Sequence, residues 1–211
     1  MTDYLTEQEQ IELLKNWIKQ YSLVILAGVC IAIIAISVSR YWQQRQNKIL
    51  SHASAIYDEM LTKRAQNDTK ATYIQAQKLY THYPKTTYGQ IAALMLARDS
   101  IVKNDYPGAE KYLHWVLNHS DSASVKQIAR MRLARLLIME NHPEEAIKTL
   151  EKIEDNSFNG LINEIKGDAY LATKNAAMAR QSYQQALAEL PNAEAIRPLL
   201  QMKYDNLAIQ S

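Results

Sequence analysis

The sequence predicts an all-α protein in which a single N-terminal transmembrane helix is followed by a solenoid of helical hairpins. Three observations carry this. Twenty consecutive residues, Gln20 to Ser39, bear no formal charge. Only 5 Gly and 5 Pro punctuate 211 residues otherwise rich in Ala, Leu, Gln, Lys and Glu, so long stretches are free of helix breakers and no segment reads as a strand. A pattern of small and large apolar residues recurs along the C-terminal part of the chain.

The charge-free run lies between Lys19 and Arg40. At about 1.5 Å rise per helical residue it reaches roughly 30 Å, the hydrocarbon thickness of a bilayer. Trp17 and Tyr21 at one end, and Tyr41 and Trp42 at the other, place amphipathic rings at the headgroup level. A cleavable signal sequence competes with this reading, because Ser37 and Ser39 are placed like the small residues of a cleavage site. Against cleavage, the run exceeds the roughly 7 to 15 apolar residues of such a segment, and a helix of its own precedes it. A retained span over residues 21–39 is therefore expected. Cys30, the single cysteine, sits mid-span after Val29, where a lipid attachment site would want a small residue. It reads as a small apolar residue facing lipid or another helix.

Residues 1–20 read as an amphipathic helix that lies on the membrane surface and continues into the span. Thr6 and Glu9 are spaced as a capping box, and Ile11, Leu14, Trp17 and Ile18 share one face. Residues 40–66 read as a connecting helix whose stripe of Trp42, Ile49, Ala53, Ile56 and Met60 packs on the repeats rather than forming a coiled coil.

Residues 67–191 carry the repeats. In GLINEIKGDAYLATKNAAMARQSYQQALAELP, Gly167, Tyr170, Ala179, Tyr183, Ala186 and Pro191 stand at offsets 0, 3, 12, 16, 19 and 24, the tetratricopeptide pattern. Two antiparallel helices approach closely where Gly167 is expected to face Ala179, with Tyr170 and Tyr183 filling the flanking holes. The same offsets recover Ala134, Leu137, Ala146, Leu150 and Ile153, and before them Ala97, Ala109, Leu113 and Val116. The turn sequences NDYPG, NHPEE and TKNAA fall between the paired helices. A fourth, degenerate unit precedes these, with Thr72, Ala76 and Leu79 on its second helix. Residues 192–211 form a closing helix: Pro198 suits its first turn, and Leu199, Leu200, Tyr204 and Leu207 are expected to cover the open end of the array.

Lys and Arg total 24 against 22 Asp and Glu, with the signs mixed along the chain, which argues against a nucleic-acid partner. There is no phosphate-binding loop, no GxSxG, no HExxH and no cysteine pair. His114 and His119 are five apart, an awkward offset for one metal on one helix, and His82 and His142 stand in turns near prolines. No cofactor, metal or small-molecule substrate is expected, and the chain reads as an interaction module rather than an enzyme.

A repeat array binds through the concave face lined by its first helices. Counting from Gly167 places Leu161, Glu164, Asp168 and Leu171 on that face, then Ile128, Met131, Arg135 and Ile138, then Ile91, Leu94, Arg98 and Ile101. The expected groove is apolar with Arg98 and Arg135 stacked and Asp168 beyond them. It lacks the Lys and Asn set with which co-chaperones clamp a terminal carboxylate. Either it is open, to take an apolar segment whose acidic residue is selected by Arg98 and Arg135, or the closing helix or a neighbouring segment covers it.

Taken together, TEQEQIELLKNWIKQY, the single span, the RYWQQRQ exit and the repeat-bearing tail resemble the bacterial YfgM family over essentially the whole chain. The resemblance implies a single-pass inner-membrane protein with a short cytoplasmic N-terminus and a periplasmic repeat domain. It implies partnership with the SecYEG translocon and the membrane-anchored chaperone PpiD, beside the lipid bilayer itself. Flanking charge does not decide sidedness, since Lys15 and Lys19 on one side face Arg40, Arg45 and Lys48 on the other. The segment YTHYPKTTYGQIA is also similar to envelope assembly factors with tetratricopeptide domains, the alternative lineage.

Overall fold

The computed structural model describes residues 7–152, 156–190 and 195–208. Helices account for nearly all of them: α1 Glu7–Ala65, α2 Thr69–His82, α3 Thr87–Val102, α4 Tyr106–His119, α5 Ala123–Met139, α6 Pro143–Leu150, α7 Asn159–Ala172, α8 Ala176–Glu189 and α9 Arg197–Ala208. A short 3-10 turn, Asn156–Phe158, precedes α7. No strand occurs among the described residues. The chain divides into two compact units, residues 1–51 and 52–211.

In the first unit α1 runs without a break, so the boundaries expected at residues 20 and 39 fall inside one helix. The described side chains from Ile11 to Lys48 are exposed, Leu23 at 80 % and Ile31 at 67 %. Apolar surface left in water costs about 25 cal/mol per Å², so a stripless helix of this kind belongs in an apolar solvent. It is long and apolar enough to cross a membrane. Two of its serines are satisfied internally: Ser37 Oγ donates to the Ile33 carbonyl at 2.7 Å and Ser22 Oγ to the Lys19 carbonyl at 3.1 Å, which lowers the cost of a hydroxyl in hydrocarbon. Thr6, half of the expected capping box, lies outside the described residues.

The second unit begins with the last residues of α1 and is built of hairpins: the end of α1 with α2, α3 with α4, α5 with α6, and α7 with α8, followed by α9. Each hairpin turns the same way. Asn67, Asn104, Asn141 and Lys174 adopt positive φ of 58°, 59°, 65° and 60°, a left-handed step that asparagine tolerates and lysine accepts at some cost. The next residue caps the second helix: Asp68 accepts from the Ala71 amide, Asp105 from Gly108 and Asn175 from Met178. His142 makes no such bond, and α6 starts instead with Pro143 and the acidic pair Glu144 and Glu145.

The hairpin cores follow the repeat positions. Ala53, Ile56 and Met60 pack with Ala76, Leu79, Ala92 and Leu96. Ala97, Ala109, Leu113, Val116, Ala134, Leu137, Ala146 and Leu150 belong to the central cluster. Within the expected 40–66 stripe, Trp42 is exposed and Ile49 half-buried, so only its last three members enter a core. Gly167 admits no side chain: a Cβ there would run into the buried ring of Tyr183, one of the two tyrosines expected to fill the holes beside it.

α9 occupies residues 197–208 of the expected closing segment. Leu200 and Leu207 are buried, Tyr204 is half-buried with the Arg180 guanidinium 5.2 Å from its ring, and Leu199 is exposed. Arg197 donates to the carbonyls of Leu187 and Leu190 at 2.6 and 2.8 Å, satisfying groups that the end of α8 leaves open. Pro191, expected to end α8, lies outside the described residues.

Candidate functional site

The repeat register makes sets of equivalent positions on the first helices α3, α5 and α7: Leu94, Met131 and Glu164; Arg98, Arg135 and Asp168; Ile101, Ile138 and Leu171. The structure corrects the apolar strip expected of this face. Leu94 is 7 % and Met131 4 % exposed, both inside the central core. Their positions turn toward the adjoining helices as the hairpins stack, so they stabilise the array and offer little to a partner. Ile91, Ile101, Ile128, Ile138 and Leu161 are half-buried, and Leu171 is exposed.

On α7 the face is occupied by an ionic ladder. The Glu164 carboxylate, 3 % exposed as a residue, accepts from Arg135 Nη2 at 2.8 Å and from Lys203 Nζ of α9 at 2.8 Å. Lys203 also donates to both oxygens of Asp168 at 2.7 and 2.8 Å. The Tyr183 hydroxyl donates to Asp168 Oδ1 at 2.6 Å. Burial pushes the Glu164 carboxyl up, but hydrogen bonds from Lys203 and Arg135 outweigh it and hold the group below its ordinary value. At Asp168 burial wins, with the Glu164 charge adding to it, and the carboxyl is raised despite Lys203 and Tyr183. Burial disfavours the Lys203 ammonium, yet its bonds to Asp168 and Glu164 raise it overall. Glu164 and Asp168 are thus engaged within the chain. The alternative that the closing helix reaches this face holds for α7.

Between α3 and α5 the same face is different. Arg98 is exposed and makes no hydrogen bond or ion pair among the described residues. Arg132 donates to the Leu94 carbonyl at 3.1 Å. Burial lowers its guanidinium, and the positive charges of Arg98 and Arg135 lower it further. These three arginines, with Ala97, Ile101, Leu113 and Leu136, line a pit of about 300 Å³ whose remaining walls are Val102 and Met139. Val102 and Met139 are 74 % and 54 % exposed. Arg98, Ile101 and Arg135 were legible from the repeat count. Arg132, Val102 and Met139 were not, because each lies one step off a counted position and still lines the pit. Lys203 was also missed, since its partners depend on where α9 docks.

Among the described residues no group of three His, Cys, Asp or Glu is placed to hold a metal ion. The arrangement presents side chains for recognition: a cationic rim, apolar walls and a helical frame.

A family model described as a tetratricopeptide repeat-like domain matches residues 15–209. The chain belongs to this family. It is also similar over nearly its whole length to proteins called ancillary SecYEG translocon subunit. The one from Escherichia coli K12 is 27 % identical, with 99 % of this chain and 100 % of that protein covered. The one from Neisseria gonorrhoeae is 29 % identical, covering 98 % and 100 %, and that from Haemophilus influenzae 26 % identical, covering 96 % and 98 %. These likenesses bear out the family resemblance carried by the sequence.

Proposed function

We propose that this protein is a membrane-anchored scaffold that associates with the SecYEG translocon and presents its repeat domain, on the periplasmic side, to a PpiD-like membrane-anchored chaperone and to secretory chains. The observation that carries this reading is the joint coverage of anchor and array by relatives named as translocon subunits. An apolar helix and a peptide-recognition scaffold on one chain hold a binding surface beside a membrane channel, where effective concentration replaces intrinsic affinity. Helical arrays of this kind recognise segments through exposed side chains on rigid helices, which suits assistance to export without catalysis of its own. The N-terminus is cytoplasmic in this reading, and the direction comes from the family.

Photocrosslinking in intact membranes, with the reactive residue placed along the exposed face of α1 and on the repeat domain, tests the reading. Recovery of translocon subunits from α1 positions and of a membrane-anchored chaperone from repeat positions is the expected result. Recovery of neither, with outer-envelope assembly partners instead, would move the protein to the alternative lineage. Protease added to spheroplasts should digest the repeat domain; protection of that domain would reverse the orientation.

A further inference from the structure

The equivalence of α3, α5 and α7 exposes an asymmetry. Arg135 on α5 finds a carboxylate on the next first helix, Glu164, at 2.8 Å. Arg98 on α3 stands one repeat earlier in the same position, and the residue of α5 that corresponds to Glu164 is Met131, buried at 4 % exposure. The array therefore repeats the cation without repeating its partner. Among the described residues Arg98 is left unpaired, Arg132 has only a carbonyl, and Arg135 shares Glu164 with Lys203. Three guanidiniums converge on one pit, and among the described residues the one carboxylate paired with any of them, Glu164, is shared with Lys203. Such a site gains from any carboxylate brought in from outside, since like charges held together repel and an arriving anion relieves all three.

Its shape restricts what the anion is carried on. The pit holds about 300 Å³ between Ala97, Ile101, Leu113 and Leu136, and its edges are the exposed side chains Val102 and Met139. A bare inorganic anion would satisfy the arginines and leave these walls in water. A large apolar side chain with a carboxylate close by fills the walls and pairs the rim, and it is the combination of apolar anchor and desolvated charge that concentrates binding energy.

We propose that the pit between α3 and α5 is a docking site for an acidic segment of a partner polypeptide, in which one large apolar side chain enters between Val102 and Met139 and a neighbouring glutamate or aspartate pairs with Arg98 and Arg132. The proposal rests on the scaffold reading for its biological setting, but its chemistry is independent of which complex the protein joins.

The test uses the full-length protein in nanodiscs of neutral lipid and a dye-labelled helical peptide with one leucine flanked by glutamates on the same face, read by fluorescence anisotropy. Saturable binding is expected. It should weaken about tenfold with Arg98→Gln, and by a similar factor when the peptide glutamates become glutamine, the scale of a lost charge-assisted hydrogen bond. Replacing the peptide leucine by alanine, or Met139→Asp in the protein, should also weaken it, while Lys148→Gln on the exposed side of α6 should not. Arg98 and Met139 are exposed, so helicity and melting should be unchanged in these variants. Absence of saturable binding, or binding indifferent to Arg98, overturns the proposal. So does the case in which vesicles containing phosphatidylglycerol bind in an Arg98-dependent way and the peptide does not, which would make the pit a lipid headgroup site. No translocon is present in this assay, so peptide binding without translocon crosslinks would sink the proposed complex and leave the pit standing, and the reverse result would do the opposite.

Discussion

Replacing Lys203 with methionine removes one ammonium that bridges two helices while keeping the length of the side chain. In the folded protein this group makes three contacts of 2.7 to 2.8 Å with the carboxylates of Glu164 and Asp168. Breaking a fully buried ion pair costs about 3 to 5 kcal/mol. The cost here is smaller. The Lys203 side chain keeps 25 % of its exposure, Glu164 retains Arg135, and Asp168 retains the Tyr183 hydroxyl and can take up a proton. A value of about 2 kcal/mol follows, or roughly a thirtyfold rise in the open population if α9 undocks before the rest unfolds. Amide hydrogen exchange resolved by segment is the assay. Exchange in α9 should accelerate by about that factor with α3 and α4 unchanged, and Lys203→Arg should recover part of the protection. Unaltered α9 exchange in Lys203→Met would refute the reasoning, leaving the attachment to Leu200, Leu207 and the bonds of Arg197 to the end of α8.

Three further results are expected. Gly167→Ala drives a methyl group into the Tyr183 ring; overpacking of about 1 to 3 kcal/mol, less about 1 for the better helix former, gives a net loss of up to about 2 kcal/mol and a fall of up to several degrees in Tm by circular dichroism. Met131→Ala empties a core position that is 4 % exposed and should cost about 2 to 5 kcal/mol, whereas Met139→Asp, 54 % exposed, should stay within about 0.5 kcal/mol in the same melts. Stability should fall on the alkaline side: Lys203 and Tyr183 are both held above their ordinary values of 10.5 and 10.0, so the unfolded chain loses these protons first and the stabilisation, complete below about pH 10, declines as pH rises through that range. Glu164 and Asp168 shift in opposite directions and oppose each other in acid. Comparing the change in Tm between about pH 8 and about pH 11 in the wild type and in Lys203→Met isolates the lysine, which should account for part of the drop.

The helical class and the hairpin succession were legible because they are local. Breaker-free stretches set helix, and the small residues Ala97, Ala109, Ala134, Ala146 and Gly167 mark where backbones must approach, so each of them is buried. The turn sequences carry one further local signal. Asn67, Asn104 and Asn141 are spaced by 37 residues, each followed by a capping or helix-opening residue, and this period supports the first hairpin better than its degenerate apolar pattern does. What could not be read was the rotation of each first helix about its own axis once stacked. A counted concave position is a stripe on a cylinder, and a modest turn sends Met131 into the core while bringing Arg132 to the pit. The partners of Lys203 were hidden for a related reason, since α9 meets α7 across 35 to 39 residues of sequence. The 1–20, 21–39 and 40–66 segmentation followed changes in composition, but helix α1 carries those changes without interruption.

Direct association in a bilayer tests the central claim most closely. The full-length protein, labelled at an introduced cysteine in the exposed α2–α3 side of the repeat domain with Cys30→Ser as background, is reconstituted with a labelled SecYEG translocon at low density in the same liposomes, and energy transfer is recorded. The account predicts transfer that saturates with translocon and is abolished by excess unlabelled protein. Transfer that rises only in proportion to membrane density, and is untouched by unlabelled competitor, would contradict it.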